Sequence, residues 1–293
     1  MLGEFALIEK FRKMCRRDSG VIVGSGDDCA VLRFDKKFYQ LYTCDMIVEG
    51  VDFTAKDDPG LIGRKALAVS LSDIAACGGI PRYAVVSMGL PAKWIKKAEK
   101  IAGGLFRLAK DYGVNIVGGD LSRANRLVLD VSMLGIVEKN KLVLRSGAKV
   151  GDVVFVTGSL GRSIAGKHLR FVPRVKEARF LVKNFKITSM IDISDGIAQD
   201  LGHILKASNV GARIYKDALP LSREARNFEE ALYGGEEFEL LFTVPRNQCR
   251  YLAFRKNNLF KPIGEIVRKG IGFKLVGNNG REKVLKPEGW RHF

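Results

Sequence analysis

Apolar spacing along the chain changes several times, and each change predicts an element. Residues 4–17 carry apolar side chains at helical spacing with Glu4 and Glu9 on the polar side, which predicts an amphipathic opening helix. Apolar runs at 21–23, 29–34 and 38–44 predict strands. Leu61–Cys77 (LIGRKALAVSLSDIAAC) is alanine-rich and long enough for a buried helix, and Gly78-Gly79 stops it with Pro81 just beyond. Strands are expected at 82–89 and 126–137, with an amphipathic helix over 94–112 between them. The turn-rich segment 138–152 (EKNKLVLRSGAKVGD) suggests a domain boundary, dividing the chain into 1–137 and 138–293. Beyond it, 153–158 (VVFVTG) predicts a short buried strand. Helical patterns follow near 159–170, 175–185 and 195–207, and strand-like patterns at 238–245 and around IGEIV. The mixture predicts two domains of α/β and α+β type.

Composition narrows the class. With 293 residues, 46% of them hydrophobic, the chain can bury a sizeable core. No apolar run approaches the roughly 18 residues that span a bilayer, and the amino terminus does not read as a signal peptide, so a cytoplasmic protein with no membrane partner is expected. Five widely spaced cysteines form no C-x-x-C, and His168, His203 and His292 show no ligand spacing, which argues against zinc and against a disulfide framework. The net charge is +17, but Lys93, Lys96, Lys97, Lys100, Lys176, Arg179, Lys183 and Lys186 recur at helical spacings that point outward. No nucleic-acid motif accompanies them, so a solvated basic exterior is expected and no nucleic-acid partner.

Two glycine motifs are decoys. Gly161–Lys167 (GRSIAGK) fits the start of a P-loop, yet His168 stands where a metal-binding Ser or Thr is needed, so a glycine turn leading into a packed helix is expected. Gly24-Ser25-Gly26 has Cys29 where a dinucleotide-binding turn needs its third glycine. A stronger signal is a set of acids in apolar or glycine-rich surroundings. Asp27-Asp28 follow a glycine turn, Asp45 ends a strand, and Asp73 lies inside the alanine-rich helix. Asp120 follows Gly118-Gly119, while Asp192 and Asp195 sit at a strand-to-helix junction. Taken singly, each acid reads as a turn residue, a helix cap (Ser194 or Asp195) or a buried hydrogen-bonded group. Taken together they suit a magnesium–nucleotide site, since Mg²⁺ takes a few carboxylates plus substrate phosphates, and glycines let backbone N–H groups reach those phosphates.

In these motifs the chain resembles the thiamine-monophosphate kinases. Their superfamily includes aminoimidazole ribonucleotide synthetase, selenophosphate synthetase and a carbamoyl-dehydrating hydrogenase-maturation protein. The resemblance runs in order through GEFALI, GSGDDCAVL, TCDMIVEGVDF, KALAVSLSDIAACGGIP, VGGDLSR, RSGAKVGDVVFVTGSLGRSIAG, MIDISDGIAQDLGHI, GGEEFELLFTVP, IGEI and GWRHF. It implies a two-domain aminoimidazole ribonucleotide synthetase-like fold and a homodimer formed through N-terminal domain strands. Asp28, Thr43, Asp45, Asp73, Asp120, Asp192 and Asp195 would ligate Mg²⁺. Gly119, Arg145 and Ser194 would contact ATP, and Asp52, Glu236 and Trp290 would surround thiamine monophosphate. The implied activity is direct in-line phosphoryl transfer from ATP to thiamine monophosphate, with no residue assigned as acid or base. The alternative is another ATP-using member of the superfamily, aminoimidazole ribonucleotide synthetase-like or carbamoyl-dehydratase-like. The chain departs from the family pattern at Asp52, where His is usual, at Cys44 and Leu121, where hydroxyl residues are usual, and at Glu237, where Asp is usual. Trp290 is open to two readings, a face for a cationic heterocycle or an anchor for the chain end.

Overall fold

The computed structural model describes residues 3–253 and 259–290 and contains two mixed sheets. The first has the order β1 (Val21–Val23), β2 (Ala30–Arg33), β3 (Phe38–Val48), β6 (Val128–Glu138), β4 (Ile80–Leu90), β5 (Asn115–Arg123). β3 and β6 pair antiparallel along their whole length, and β5 lies parallel to β4 at the sheet edge. The second has the order β13 (Glu282–Val284), β12 (Phe273–Val276), β9 (Gly211–Tyr215), β11 (Phe260–Val267), β7 (Val153–Thr157), β10 (Leu240–Val244), β8 (Ser189–Asp192). Residues 139–152 carry neither helix nor strand. This two-domain α/β architecture is the one expected from the sequence.

Helix α2 (Pro59–Ala76) is the central element. Asp58 caps it by accepting from Gly60 N and Leu61 N, with Pro59 in the first turn, and most of its residues are buried. It packs on one side against β3, β6 and α3 (Ala98–Tyr112). On the other it meets α4 (Lys167–Arg170), α5 (Val175–Asn184) and β8 of the second domain. The core is therefore continuous between the domains: Ile62, Leu67 and Leu71 share one cluster with Leu181, Met190 and Phe242. Period-two alternation sends Val153 and Phe155 of β7 into that cluster. Val154 and Val156 point into a second one beneath α6 (Ile197–Ser208).

Several expectations need correction. The opening helix, α1, spans Glu4–Met14. The helix expected over 159–170 is instead a 3₁₀ turn, Ser163–Ala165, and the single turn α4. Gly161 and Gly166 adopt positive φ there, and so does Arg162 at +60°, conformations that break an α-helix. Neither Ser194 nor Asp195 caps α6; Asp200 reaches back to accept from Asp195 N and Gly196 N, both at 3.1 Å. Arg179 does not point into solvent: it donates to Gly78 O at 2.6 Å and to Glu138 at 2.7 Å. Strands β9, β12 and β13, helix α7 (Phe228–Tyr233) and helix α8 (Arg246–Ala253) were not foreseen. Of the terminal GWRHF, Arg291–Phe293 lie outside the described residues.

The α2–α3 crossing depends on two glycines. A Cβ at Gly63 would stand 1.9 Å from Ile101 O, and one at Gly104 would stand 1.8 Å from Gly60 O. Gly63→Ala and Gly104→Ala should each lower the melting temperature, with an overpacking cost of at least about 1–3 kcal/mol. Gly103→Ala, whose added carbon meets only Arg107 Nη1 at 3.7 Å, should hold or raise it. Equal melting of all three variants would contradict this crossing.

Candidate functional site

Three elements and one loop bring acids together at the domain junction. On β3, residues 43, 45 and 47 share the face turned toward α2, so Thr43 and Asp45 point inward while Tyr42, Cys44 and Met46 point out. On α2, Ser70 and Asp73 lie three residues apart, one turn along the stripe facing β3. Ser70 Oγ donates to Asp45 Oδ2 at 2.9 Å, and Thr43 Oγ1 donates to Asp73 Oδ2. Ser72 is turned about 100° from Asp73 and donates across the domain junction to Asp192 Oδ2, at the end of β8, at 2.6 Å. The Gly24–Gly26 turn delivers Asp28. Carboxylate oxygens of Asp28, Asp73 and Asp192 all lie within 4.8 Å of one another.

This crowding controls the electrostatics. Burial, followed by the Asp45, Asp192 and Asp28 charges, holds the Asp73 carboxyl well above its ordinary range. Burial and Asp28 push Asp192 up to about 7, and burial is the main cause raising Asp45 to about 6. Arg145 partly offsets the repulsion. Its guanidinium donates to Asp28 Oδ1 at 2.8 Å, and its backbone N–H donates to Asp27, which burial and Asp28 raise to about 7. Asp28 Oδ2 and Arg145 Nε are buried without a hydrogen-bond partner. An orphaned carboxylate oxygen inside a group of three acids fits a hard divalent cation: oxygen donors only, and excess negative charge.

A cavity of ≈ 450 Å³ opens beside the acids. Asp45 lines it and so links it to the acid group; Asp52, Ser194, Asp195, Glu236 and Trp290 line it as well. Asp52 Oδ2 closes a local turn by accepting from Val48 N at 2.7 Å. Trp290 donates its backbone N–H to Asp195 O at 3.0 Å, and the residue is 43% exposed. Arg145, Ser194 and Asp195 also line a second cavity beneath α1, together with His203, whose ring burial pushes down to about 4.

Gly119 and Asp120 are not brought to this group. They lie on the exposed edge strand β5, and the register Asp45–Val131–Val86–Gly119 crosses three strand spacings. That separation is about 14 Å. The lysine of the decoy loop is engaged by protein: Lys167 Nζ donates to Ser159 O and Glu237, each at 2.8 Å, and lies 3.1 Å from Glu239. Sequence reasoning passed over Ser70, Ser72 and Lys65. Ser70 and Ser72 could be read, since with Asp73 they interrupt the apolar run of residues 66–76, whereas Lys65 beside Arg64 gives no such signal.

Residues 26–137 match the AIR synthase related protein, N-terminal domain, and residues 149–275 match the AIR synthase related protein, C-terminal domain. The thiamine-monophosphate kinase of Bacillus subtilis (strain 168) is 36% identical over 325 residues, covering 100% of both chains. That of Escherichia coli (strain K12) is 34% identical, covering 99% of this chain and 98% of its own. The solved structure of AaThiL complexed with AMPPCP and TMP superposes with a TM-score of 0.87 at 30% identity, covering 100% of this chain and 97% of the other. By sequence over its full length and by fold, the chain belongs to the thiamine-monophosphate kinase family.

Proposed function

We propose that the chain phosphorylates thiamine monophosphate to thiamine diphosphate at the expense of ATP, in the cavity bordered by Asp45, Glu236 and Trp290. The carrying observation is that Asp45 belongs both to the cavity and to the acid group, so a phosphate in the cavity would lie beside bound cations. A phosphate oxygen of the acceptor forms the new bond to the γ-phosphorus. The bond from that phosphorus to the β,γ-bridging oxygen breaks, and ADP leaves with the electron pair. A phosphate monoester is already largely ionised near neutral pH, so no residue is needed as base.

Asp28, Asp73 and Asp192 would hold Mg²⁺, with Thr43, Asp45 and Asp195 alongside. The cation would supply charge neutralisation on the transferred group and the leaving diphosphate. Thr43, Ser70 and Ser72 orient the carboxylates by donating to them, and Arg145 and Ser194 would meet the nucleotide. Cationic thiazolium and flat pyrimidine rings suit the exposed Trp290 face and the Glu236 carboxylate. A homodimer through the first domain is supported by the apolar outer face of its sheet, where Tyr42, Met46, Tyr83 and Val85 are exposed. Gly119 and Asp120 would then act at that surface, close to the nucleotide. None of the described helices is long and apolar enough to cross a membrane.

Purified protein supplied with ATP, Mg²⁺ and thiamine monophosphate should yield thiamine diphosphate and ADP in equal amounts. Consumption of ATP only with some other acceptor would refute the assignment.

The raised carboxyl groups set a pH signature. Folded values near 6–7 exceed those of the unfolded chain, so the charged forms destabilise the fold. The stability contribution is full below the ordinary value of 3.8 and is lost as pH rises from there through the folded values. Magnesium should reverse the loss by replacing protons. Added Mg²⁺ should therefore raise the melting temperature by several degrees at about pH 8 and hardly at all at about pH 5. Asp73→Asn should shrink the magnesium effect and cut turnover by more than about 100-fold. A magnesium shift independent of pH and of Asp73 would exclude this group as the metal site.

Trp290→Ala tests the aromatic face. Its backbone hydrogen bond survives the substitution, so the chain end stays tethered while the half-buried ring is removed, and any fall in melting temperature should be modest. The KM for thiamine monophosphate should rise about 2–20-fold, with the KM for ATP unmoved. A drop in melting temperature with both constants unchanged would make Trp290 an anchor.

A further inference from the structure

A fully buried lysine is costly unless its charge is matched and its donors are used. Lys65 on α2 has a side-chain exposure of 0%. Its Nζ donates to Glu236 Oε1 at 2.5 Å and to the backbone oxygen of Asp52 at 2.7 Å, and it lies 3.2 Å from His168 Nδ1. His168 Nδ1 is in turn 3.0 Å from Glu236 Oε2. That nitrogen donates to Glu236 when protonated and accepts from Lys65 when not. Three segments therefore meet on one ammonium: the turn after β3 in the first domain, the short helix after the decoy loop, and the Gly234–Glu236 loop of the second domain.

Two features connect this cluster to the cavity. Asp52 and Glu236 line it, one from each domain, whereas Lys65 does not. Glu236 also has φ +60°, a left-handed conformation that a non-glycine residue keeps only where its surroundings enforce it. Here both carboxylate oxygens are engaged. Burial alone would raise the Glu236 carboxyl, but the His168 contact and the Lys65 charge bring it below its ordinary value.

We propose that Lys65 is a positioning residue for acceptor recognition, fixing the Asp52 wall and the Glu236 carboxylate in the single geometry that receives a cationic, phosphorylated heterocycle. The inference rests on reading the cavity as the acceptor pocket. Lys65 acts through Glu236 and Asp52 without touching the substrate, and it spans the domain junction, so it sets the distance between two walls that belong to different domains.

A double-mutant cycle tests it, with KM for thiamine monophosphate, KM for ATP and kcat measured for the unmutated chain, Lys65→Met, Glu236→Gln and the double variant. Lys65→Met should raise the acceptor KM about tenfold and leave the ATP KM within about twofold. In the Glu236→Gln background the same substitution should change the acceptor KM by less than about threefold, because Lys65 acts largely through that carboxylate. Should Lys65→Met fail to fold, Lys65→Gln carries the same cycle, since it removes the charge while keeping a polar amide on a side chain one atom shorter. Parallel rises in both KM values, independent multiplying effects in the double variant, or an unchanged acceptor KM would each overturn the inference while leaving the kinase reading intact. Absence of thiamine diphosphate production by the unmutated chain would instead overturn the kinase reading itself.

Discussion

The mutual repulsion of Asp28, Asp73 and Asp192 governs the rest of the molecule. Oxygens of all three lie within 4.8 Å, where two like charges repel by about 3 kcal/mol at an effective dielectric constant near 20. Hydroxyl donation from Thr43 and Ser72 returns about 1.5–3 kcal/mol per bond to a charged acceptor, which does not offset three such pairs. Arg145 supplies one compensating charge, and it is held in place by Asp27 through its own backbone N–H. The remaining imbalance is relieved either by protons, as the raised carboxyl values indicate, or by cations. The fold thus stores a demand for positive charge at one point, and an anionic phosphate enters that point only with metal beside it.

Helix α2 makes that arrangement possible because two polar stripes run along an otherwise apolar rod. Lys65 and Ser72 are seven residues apart, within about 20° of one another around the axis, and both reach into the second domain, to Glu236 and Asp192. Ser70 and Asp73 form the other stripe and meet Asp45 and Thr43 of β3. A rotation of α2 by one residue would break both sets together. The close glycine contacts at Gly63 and Gly104, which seat α2 against α3, fix the rotation and translation on which the site relies.

This organisation explains what could be read in the sequence. Asp45, Asp73 and Asp192 were legible because a carboxylate amid apolar neighbours is expensive and so conspicuous. The strands β3, β4 and β6 were legible because their alternation is local. Lys65 was not, since a lysine in RKALAV looks like any solvated helix charge until Glu236, 171 residues away, is brought to it. The 159–170 segment misled because its apolar spacing is helical while Gly161, Arg162 and Gly166 take positive φ, and periodicity does not register backbone handedness. Asp120 reads with the acid group because strand-end acids beside glycines look alike along the chain. Only strand order reveals two strands between β5 and β3.

Charge acts on two length scales. The chain as a whole carries +17, which attracts anionic nucleotides and phosphate esters from solution, but at physiological salt that field fades over about 8 Å. Inside the cavity the sign reverses: Asp45, Asp52, Asp195 and Glu236 all line it. A bare anion drawn in by the exterior would meet repulsion there, whereas an anion accompanied by divalent cations, or one carrying a fixed positive ring, would not. On the proposed reaction the two substrates meet those two conditions separately, ATP through its metal and thiamine monophosphate through its thiazolium. An acidic pocket in a basic protein is thus a selective arrangement, because it rejects simple phosphates that the surface alone would accept.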